Sequence, residues 1–160
     1  MGYFNPVLQY GLEKFCEDAA RAGVAGMIIP DMPMYEYEKI YKPIFEQHNL
    51  SLIFLITPQT SYDRIKQADK LSSGFLYAVS TSSTTGAALH TNGQRGYFER
   101  ISAMQLKNPI MIGFGINNKQ TFDVACEYAA GAIIGSAYIK ALAATLNIET
   151  ATSEFVRSVK

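Results

Sequence analysis

Two short apolar runs in the second half of the chain each break at glycine and then turn polar or small. They are "MIGFGINNKQ", residues 111–120, and "AIIGSAYIKA", residues 132–141. Gly113, Gly115 and Gly135 can bring bare backbone close to a ligand, and Ser136 would begin a helix. Backbone N–H groups at a helix start, with the helix dipole behind them, suit a phosphate. Each glycine alone favours a tight turn, whereas the pair together with a Ser/Thr-rich loop favours a phosphate site.

That loop is residues 80–96, "STSSTTGAALHTNGQRG", a segment with no apolar periodicity. A polar segment of this length inside a compact domain is typical of a binding loop. It follows an apolar run, as the two glycine breaks do. Because α/β proteins bind ligands at the carboxyl ends of their strands, Gly86 of the loop is expected on the same rim as the two breaks.

Other candidate groups are isolated in the sequence. Asp31 directly follows an apolar run in "IIPDMP" and fits a catalytic acid or a helix-start residue equally well. Tyr3, Tyr77 and Phe114 could line an aromatic pocket, although core packing explains Phe114 at least as well. His, Cys and Asp residues show no metal-ligand spacing, so no metal is expected. "GFGINN" lacks the glycine offset of a dinucleotide-binding loop.

Six short apolar runs alternate with helical patterns along the chain. The runs are continuous, which is typical of strands buried on both faces of a parallel sheet. Regular strand–helix alternation then implies right-handed crossovers within a single domain, residues 1–160. Two architectures fit, an open doubly wound sheet and a (β/α)8 barrel, but a complete barrel needs eight units and about 250 residues. The runs are residues 2–4, 26–29, 52–56, 75–79, 110–112 and 132–134.

Capping and breaking residues delimit the helices between these runs. Gly23 should end the first helix, Ser61 should cap the third, and Asn117 or Asn118 should cap the fifth. Pro43 lies inside the second helical pattern and argues against a straight helix there.

Composition limits the classes of partner. Fourteen basic and fourteen acidic residues cancel, which argues against nucleic acid or an anionic membrane bound through a basic face. Cys16 and Cys126 both fall at apolar helix positions, so both are expected as small buried side chains and not as a disulfide. No leader pattern and no run near 18 apolar residues occurs, which predicts a cytoplasmic protein.

Several of these segments together resemble the tryptophan synthase alpha chain family. They are "MGYFNP" followed by "YGLEKFCEDAARAGVAGMIIPDMP", then "GFLYAVSTSSTTG", "IGFGI" and "GAIIGSAYIKAL". The resemblance implies a (β/α)8 barrel that cleaves indole-3-glycerol phosphate to indole and glyceraldehyde 3-phosphate. It also implies a beta chain as partner, which carries pyridoxal phosphate, and no cofactor in this chain.

The resemblance assigns roles to residues that match the family's motifs. Thr85 would orient a catalytic aspartate, and Asp31 would lie near the face that meets the beta chain. The phosphate would be held by backbone N–H groups of Gly86, Gly115, Gly135 and Ser136. The indole pocket would be lined by Tyr3, Ile28, Leu55, Tyr77 and Phe114.

Two departures from the family pattern stand out. Ser83 occupies a loop position where the family usually has glycine. Nothing in the chain matches the family's catalytic glutamate, in a motif like "LELGIPFSDP", or the aspartate in "P-ADG". The resemblance therefore covers strands three to eight of the barrel, and the expected fold is an incomplete barrel of about six βα units.

Three functional hypotheses follow. The first is a tryptophan synthase alpha-type chain that is inactive alone, because the two carboxylates are absent. The second is a non-catalytic module that binds a phosphate ester or a beta-type chain. The third is another phosphate-sugar enzyme, with an open six-stranded sheet and Asp31 as its base. An incomplete barrel would also leave open strand edges at residues 2–4 and 132–134, so self-association is expected.

Overall fold

A computed structural model describes residues 1–80, 92–113 and 115–160 of the chain. Helices and strands alternate through these ranges, as the apolar pattern predicts. The strands are β1 (Gly26–Ile28), β2 (Ser51–Ile53), β3 (Leu55–Ile56), β4 (Leu76–Val79), β5 (Ile110–Gly113) and β6 (Gly131–Ile133). The helices are α1 (Phe4–Tyr10), α2 (Leu12–Arg21), α3 (Met34–Glu36), α4 (Lys42–Gln47), α5 (Tyr62–Leu71), α6 (Asn92–Ser102), α7 (Lys119–Tyr128), α8 (Ser136–Ala143) and α9 (Ile148–Val159).

The chain forms two compact units. The first is Met1–Ile56 with Thr60–Leu76, and the second is Thr57–Gln59 with Tyr77–Lys160. The expectation of a single domain over residues 1–160 stays a prediction.

The first unit is built on the parallel pair β1–β2, in which Met27 lies opposite Leu52. Leu52 of β2 and Phe45 of α4 are both fully buried where α4 packs on β2. The apolar run predicted as one strand is divided because the Phe54 N–H donates to the Ser72 hydroxyl, at 3.0 Å, between β2 and β3. Burial of one such aliphatic or aromatic side chain is worth about 1.5–3 kcal/mol, so these residues supply much of the unit's stability.

The second helical pattern is interrupted at Pro43, as expected. Between α3 and α4, residues Tyr37–Tyr41 form a π-helical turn. Proline has no N–H to donate into the preceding turn, so the hydrogen-bond register changes where it enters the helix. Tyr37 at the start of this turn is buried edge-on against Phe45 and Phe54, with ring centroids 5.5 and 5.4 Å away.

The second unit contains β4, β5 and β6 as neighbours in that order. β5 and β6 pair in parallel, with Gly113 opposite Ile133. Asn118 caps α7 as predicted, since its side chain accepts the Thr121 N–H while the Thr121 hydroxyl accepts the Asn118 N–H. Ser61 likewise caps α5 in the first unit, and Gly23, at φ 79°, follows the end of α2.

Three expectations about local structure were wrong. Residues 2–4 do not form a strand: the Phe4 N–H donates to Asp31, and a helix begins at Phe4. Cys126 is exposed and not buried, although Cys16 is buried and both thiols are free, as expected. The last part of the segment predicted as a loop is helical, because α6 begins at Asn92.

Candidate phosphate-binding site

The end of β6 meets the start of α8 as the glycine-serine pattern predicts. Gly135 is the N-cap residue and Ser136 is the first residue of the eight-residue helix. No side chain caps the first turn and no acidic residue lies in it. Both residues are exposed, and nothing stands within 4 Å of the place where a Cβ on Gly135 would be. These backbone N–H groups are therefore open to an anion.

Gly115 follows the end of β5 and is exposed, with φ at 78°. This left-handed backbone conformation favours glycine, which has no Cβ to clash with the following carbonyl. Because Gly113 lies opposite Ile133 in the parallel pair, Gly115 and Gly135 each come two residues after a matched position. The structure thus brings Gly115, Gly135 and Ser136 to the same edge of the sheet.

The carboxyl end of β4 packs on the carboxyl end of β5. Tyr77 is buried, and its ring occupies the space beside the Gly113 Cα where a side chain would otherwise stand. Burial raises the pKa of the Tyr77 hydroxyl above its usual value. Ser80 holds the Gly113 carbonyl, which accepts both the Ser80 N–H at 3.1 Å and the Ser80 hydroxyl at 3.2 Å. Gly113, expected to approach a ligand, thus approaches an aromatic ring.

The contacts of Ser80 were missed by the sequence analysis, which placed residue 80 in the predicted binding loop, residues 80–96. Its place directly after an apolar run was the available signal, since a strand-end hydroxyl can reach the neighbouring strand. Thr85, Gly86 and Phe114, expected in the orienting, phosphate and pocket roles, lie outside the described residues, as does Ser83.

Three expected pocket residues belong to the first unit. Ile28 in β1 and Leu55 in β3 are half-buried, and Tyr3 is 70% exposed. Tyr3 and Ile28 line an apolar cleft of about 570 Å³, together with Tyr10 and Val24. This cleft has no charged side chain among its lining residues, so it suits an apolar occupant.

Asp31 is exposed, and its Oδ1 accepts the Phe4 N–H at 2.8 Å. Asp31 does not begin the helix that follows it, because α3 starts at Met34 with Pro33 as its N-cap residue, so the helix-start alternative was wrong. Its carboxylate instead accepts the N–H of the first residue of α1, which precedes Asp31 in the sequence.

Within residues 1–80, 92–113 and 115–160, no group of three or more His, Cys, Asp or Glu side chains could hold a metal ion. In the same ranges, no helix has both the length and the apolar character needed to cross a bilayer.

Comparisons with known proteins identify one family. The family model described as "Tryptophan synthase alpha chain" matches residues 1–160. The tryptophan synthase alpha chain of Flavobacterium psychrophilum is 54% identical over 160 residues, which is 99% of this chain and 62% of that protein. The chain therefore spans about three fifths of the length of the curated relatives it matches.

Solved structures show the same relationship. A structure of Mycobacterium tuberculosis tryptophan synthase is 33% identical, with a TM-score of 0.81 over 98% of this chain and 60% of that one. A structure of the tryptophan synthase α2β2 complex of Pyrococcus furiosus is 27% identical, with a TM-score of 0.79 over 98% of this chain and 62% of that one. The parallel strands and these neighbours confirm the fold class, the (β/α)8 barrel family, of which the chain forms an incomplete version.

Proposed function

The chain belongs to the tryptophan synthase alpha chain family, and on this premise we propose that it supplies the phosphate grip and part of the indole pocket of a carbon–carbon lyase. The reaction is the cleavage of indole-3-glycerol phosphate to indole and glyceraldehyde 3-phosphate in tryptophan biosynthesis. The observation that carries the proposal is the position of Gly115 and Gly135 at one sheet edge, with α8 starting at Ser136.

Phosphate binding rests on backbone groups. The first turn of α8 offers N–H groups with no side-chain cap, and the helix dipole favours an anion at that end. Gly115 adds a backbone turn that no Cβ obstructs. Basic side chains are not required for this kind of site, which agrees with a net charge of zero. Gly86, which lies outside the described residues, is proposed as a further phosphate-binding residue from the family resemblance alone.

Tyr77 is the best supported of the indole-pocket residues. It is buried on β4, one strand from the glycine turn after β5, where its ring is fixed against Gly113. An aromatic ring offers the flat apolar surface that an indole needs, and ring pairs contribute about 0.5–1.5 kcal/mol beyond area burial. Tyr3, Ile28, Leu55 and Phe114 are proposed as indole-pocket residues from the family resemblance alone.

The acid–base chemistry requires groups that this sequence does not match. Cleavage needs a proton delivered to the indole ring and another removed from the glycerol hydroxyl, and each positioned group typically contributes about 10²–10⁴-fold. The family resemblance assigns these steps to a glutamate and an aspartate in motifs with no counterpart among the 160 residues. Thr85 would orient the aspartate. We therefore expect the chain alone to form no indole.

Indole release provides the test. The chain, incubated with indole-3-glycerol phosphate, should give no indole above background, whereas addition of a polypeptide carrying the "ELG" and "ADG" strand–helix units should produce measurable turnover. The same mixture with Gly135→Val in this chain should lose turnover, since a side chain there enters the phosphate's space. Indole formation by the isolated chain, after removal of any full-length contaminant, would contradict the assignment.

The proposed partner is a tryptophan synthase beta chain, by analogy with the α2β2 complex of Pyrococcus furiosus. Pyridoxal phosphate belongs, in this proposal, to the beta chain. Asp31 lies on the surface beside the start of α1, where it is available to such a partner. A cytoplasmic location fits this metabolic role.

The two alternative hypotheses predict different activities for the chain. If the chain were a different phosphate-sugar enzyme with Asp31 as base, it would be active alone, and Asp31→Asn would abolish that activity. Its hydrogen bond to the Phe4 N–H occupies one carboxylate oxygen in capping, which favours a structural role. A non-catalytic module would bind phosphate yet give no indole even when the missing units are supplied.

Self-association is a further part of the proposal. The apolar cleft beside β1 exposes Tyr3, Tyr10 and Val24. Met1 and Gly2 also line the cleft, and the Gly2 N–H donates to the Ile28 carbonyl. We propose that a second copy covers this face, because its lining side chains carry no charge and exposed apolar patches are favoured interaction surfaces. An equivalent contact at the edge of β6 is proposed on the same grounds.

A further inference from the structure

Ser80 makes two hydrogen bonds to one acceptor at the carboxyl end of β4. Its N–H and its hydroxyl both donate to the Gly113 carbonyl, at 3.1 and 3.2 Å, and the residue is 2% exposed. A ladder hydrogen bond between neighbouring parallel strands needs only the N–H. The hydroxyl therefore adds a second donor to a carbonyl that the backbone already holds.

The Gly113 carbonyl lies directly before the proposed phosphate-binding turn. Gly113 is the last residue of β5, and Gly115, in the left-handed conformation at φ 78°, comes two residues later. Holding the Gly113 carbonyl fixes the orientation of the last residue of β5. The Tyr77 ring packs against the Cα of the same glycine. Two side chains of the β4 end thus hold the point from which the glycine turn departs.

We propose that Ser80 is a positioning residue for phosphate binding, which acts by holding the Gly113 carbonyl so that the Gly115 turn presents its backbone to the ligand. The inference rests on the proposed phosphate site. A site made of backbone N–H groups binds an anion tightly only if those groups point at the anion before it binds. Ordering a mobile turn on binding would have an entropic cost that lowers affinity. A buried hydroxyl with two lone pairs and one proton is well suited to such a task, since its proton goes to a backbone carbonyl.

Calorimetric titration of the full chain with inorganic phosphate tests the proposal. Ser80→Ala keeps the backbone hydrogen bond and removes only the hydroxyl, so phosphate affinity should fall about five-fold, the loss expected for one neutral hydrogen bond. Ser80→Thr keeps the hydroxyl and should restore affinity to within about two-fold of wild type. The amide signal of Gly115 should move in Ser80→Ala before any phosphate is added.

Ser72→Ala is the matched control, because it also removes a buried serine hydroxyl that is bonded to the backbone, at the Phe54 N–H of the first unit. It should lower thermal stability and leave phosphate affinity unchanged. If Ser80→Ala does not fold, Ser80→Cys, whose thiol is a weaker donor, should bind phosphate less tightly than wild type.

The outcomes separate the two proposals. A wild-type chain that binds no phosphate overturns the proposed site and the role of Ser80 with it. A wild-type chain that binds phosphate, with Ser80→Ala or Ser80→Cys equally tight, overturns the role of Ser80 alone. Equal losses of affinity in Ser80→Ala and Ser72→Ala would also overturn it, because the effect would then reflect general destabilisation.

Discussion

The ring of Tyr77 occupies the position that a side chain on residue 113 would need. A Cβ on Gly113 would lie 2.6 Å from the Tyr77 Cζ and closer still to the Tyr77 Cε2 and hydroxyl oxygen, well inside van der Waals contact. Glycine at 113 is therefore a condition for the buried position of Tyr77. The relationship links a proposed indole-pocket residue to the strand that leads into the proposed phosphate turn.

Gly113→Ala should displace the Tyr77 ring. Overpacking of a buried site typically costs about 1–3 kcal/mol, and we expect a loss of unfolding free energy in that range with a changed near-ultraviolet circular dichroism signal. Gly96→Ala is the matched control, since Gly96 lies in α6 with nothing near its Cβ position; it should stabilise the chain by about 0.5–1 kcal/mol. In a Tyr77→Ala background the cost of Gly113→Ala should largely vanish, and a cost that persists there would show that the ring is not the obstacle.

Asn118→Ala should weaken the start of α7. Its side chain accepts the Thr121 N–H at 2.9 Å, and an N-cap of this kind is worth about 1 kcal/mol. Asn117→Ala serves as control, because the Asn117 side chain makes no hydrogen bond to the described residues. Urea denaturation should show a lower midpoint for the first variant and an unchanged one for the second. Equal midpoints would refute the cap.

The sequence located most elements because continuous apolar runs and capping residues are local signals. Five of the six predicted strands form, and the caps at Ser61 and Asn118 are where the pattern placed them. The strand predicted at residues 2–4 was wrong because so short an apolar run fits a strand or a helix equally well. The helix start at Phe4 is stabilised by a hydrogen bond to Asp31, 27 positions away, which no local sequence pattern reveals.

The site was predictable where it depends on backbone. The sequence at Gly135 and Ser136 predicts the end of a strand followed by the start of a helix, and the structure has both. The contacts of Tyr77 and Ser80 with Gly113 were not predictable, since they depend on the register between strands that are more than 30 residues apart. Cys126 falls at an apolar helix position, yet it is exposed, because the helical pattern does not say which neighbours cover that face.

The two cysteines should differ sharply in reactivity. Burial raises the pKa of Cys16 to about 11, whereas Cys126 is exposed. Because the thiolate is the reactive species, a thiol reagent at pH 8 should modify Cys126 rapidly and Cys16 only on unfolding. Folded protein favours the protonated Cys16, so its contribution to stability is present below the ordinary thiol pKa and is lost as pH rises toward 11. Rapid modification of two thiols in native protein at pH 8 would contradict this.

Self-association at the apolar cleft should depend on its exposed tyrosines. Tyr3→Lys puts a charge on a cleft residue that is 70% exposed, and it should shift the chain toward monomer in sedimentation velocity across a range of concentrations. Tyr35→Lys is the control, since Tyr35 is 67% exposed and does not line the cleft. A wild-type chain that remains monomeric at all concentrations would be incompatible with the proposal, as would equal effects of the two variants.

The central claim is that backbone N–H groups after β5 and at the start of α8 hold a phosphate. Titration of the isotope-labelled chain with inorganic phosphate, followed through its amide NMR signals, tests this directly. The amides of Gly115, Gly135 and Ser136 should shift first and saturate together, and Gly135→Val should abolish these shifts because its side chain would fill the ligand's space. Unmoved signals at these three residues, with responses confined to unrelated surface positions, would contradict the account.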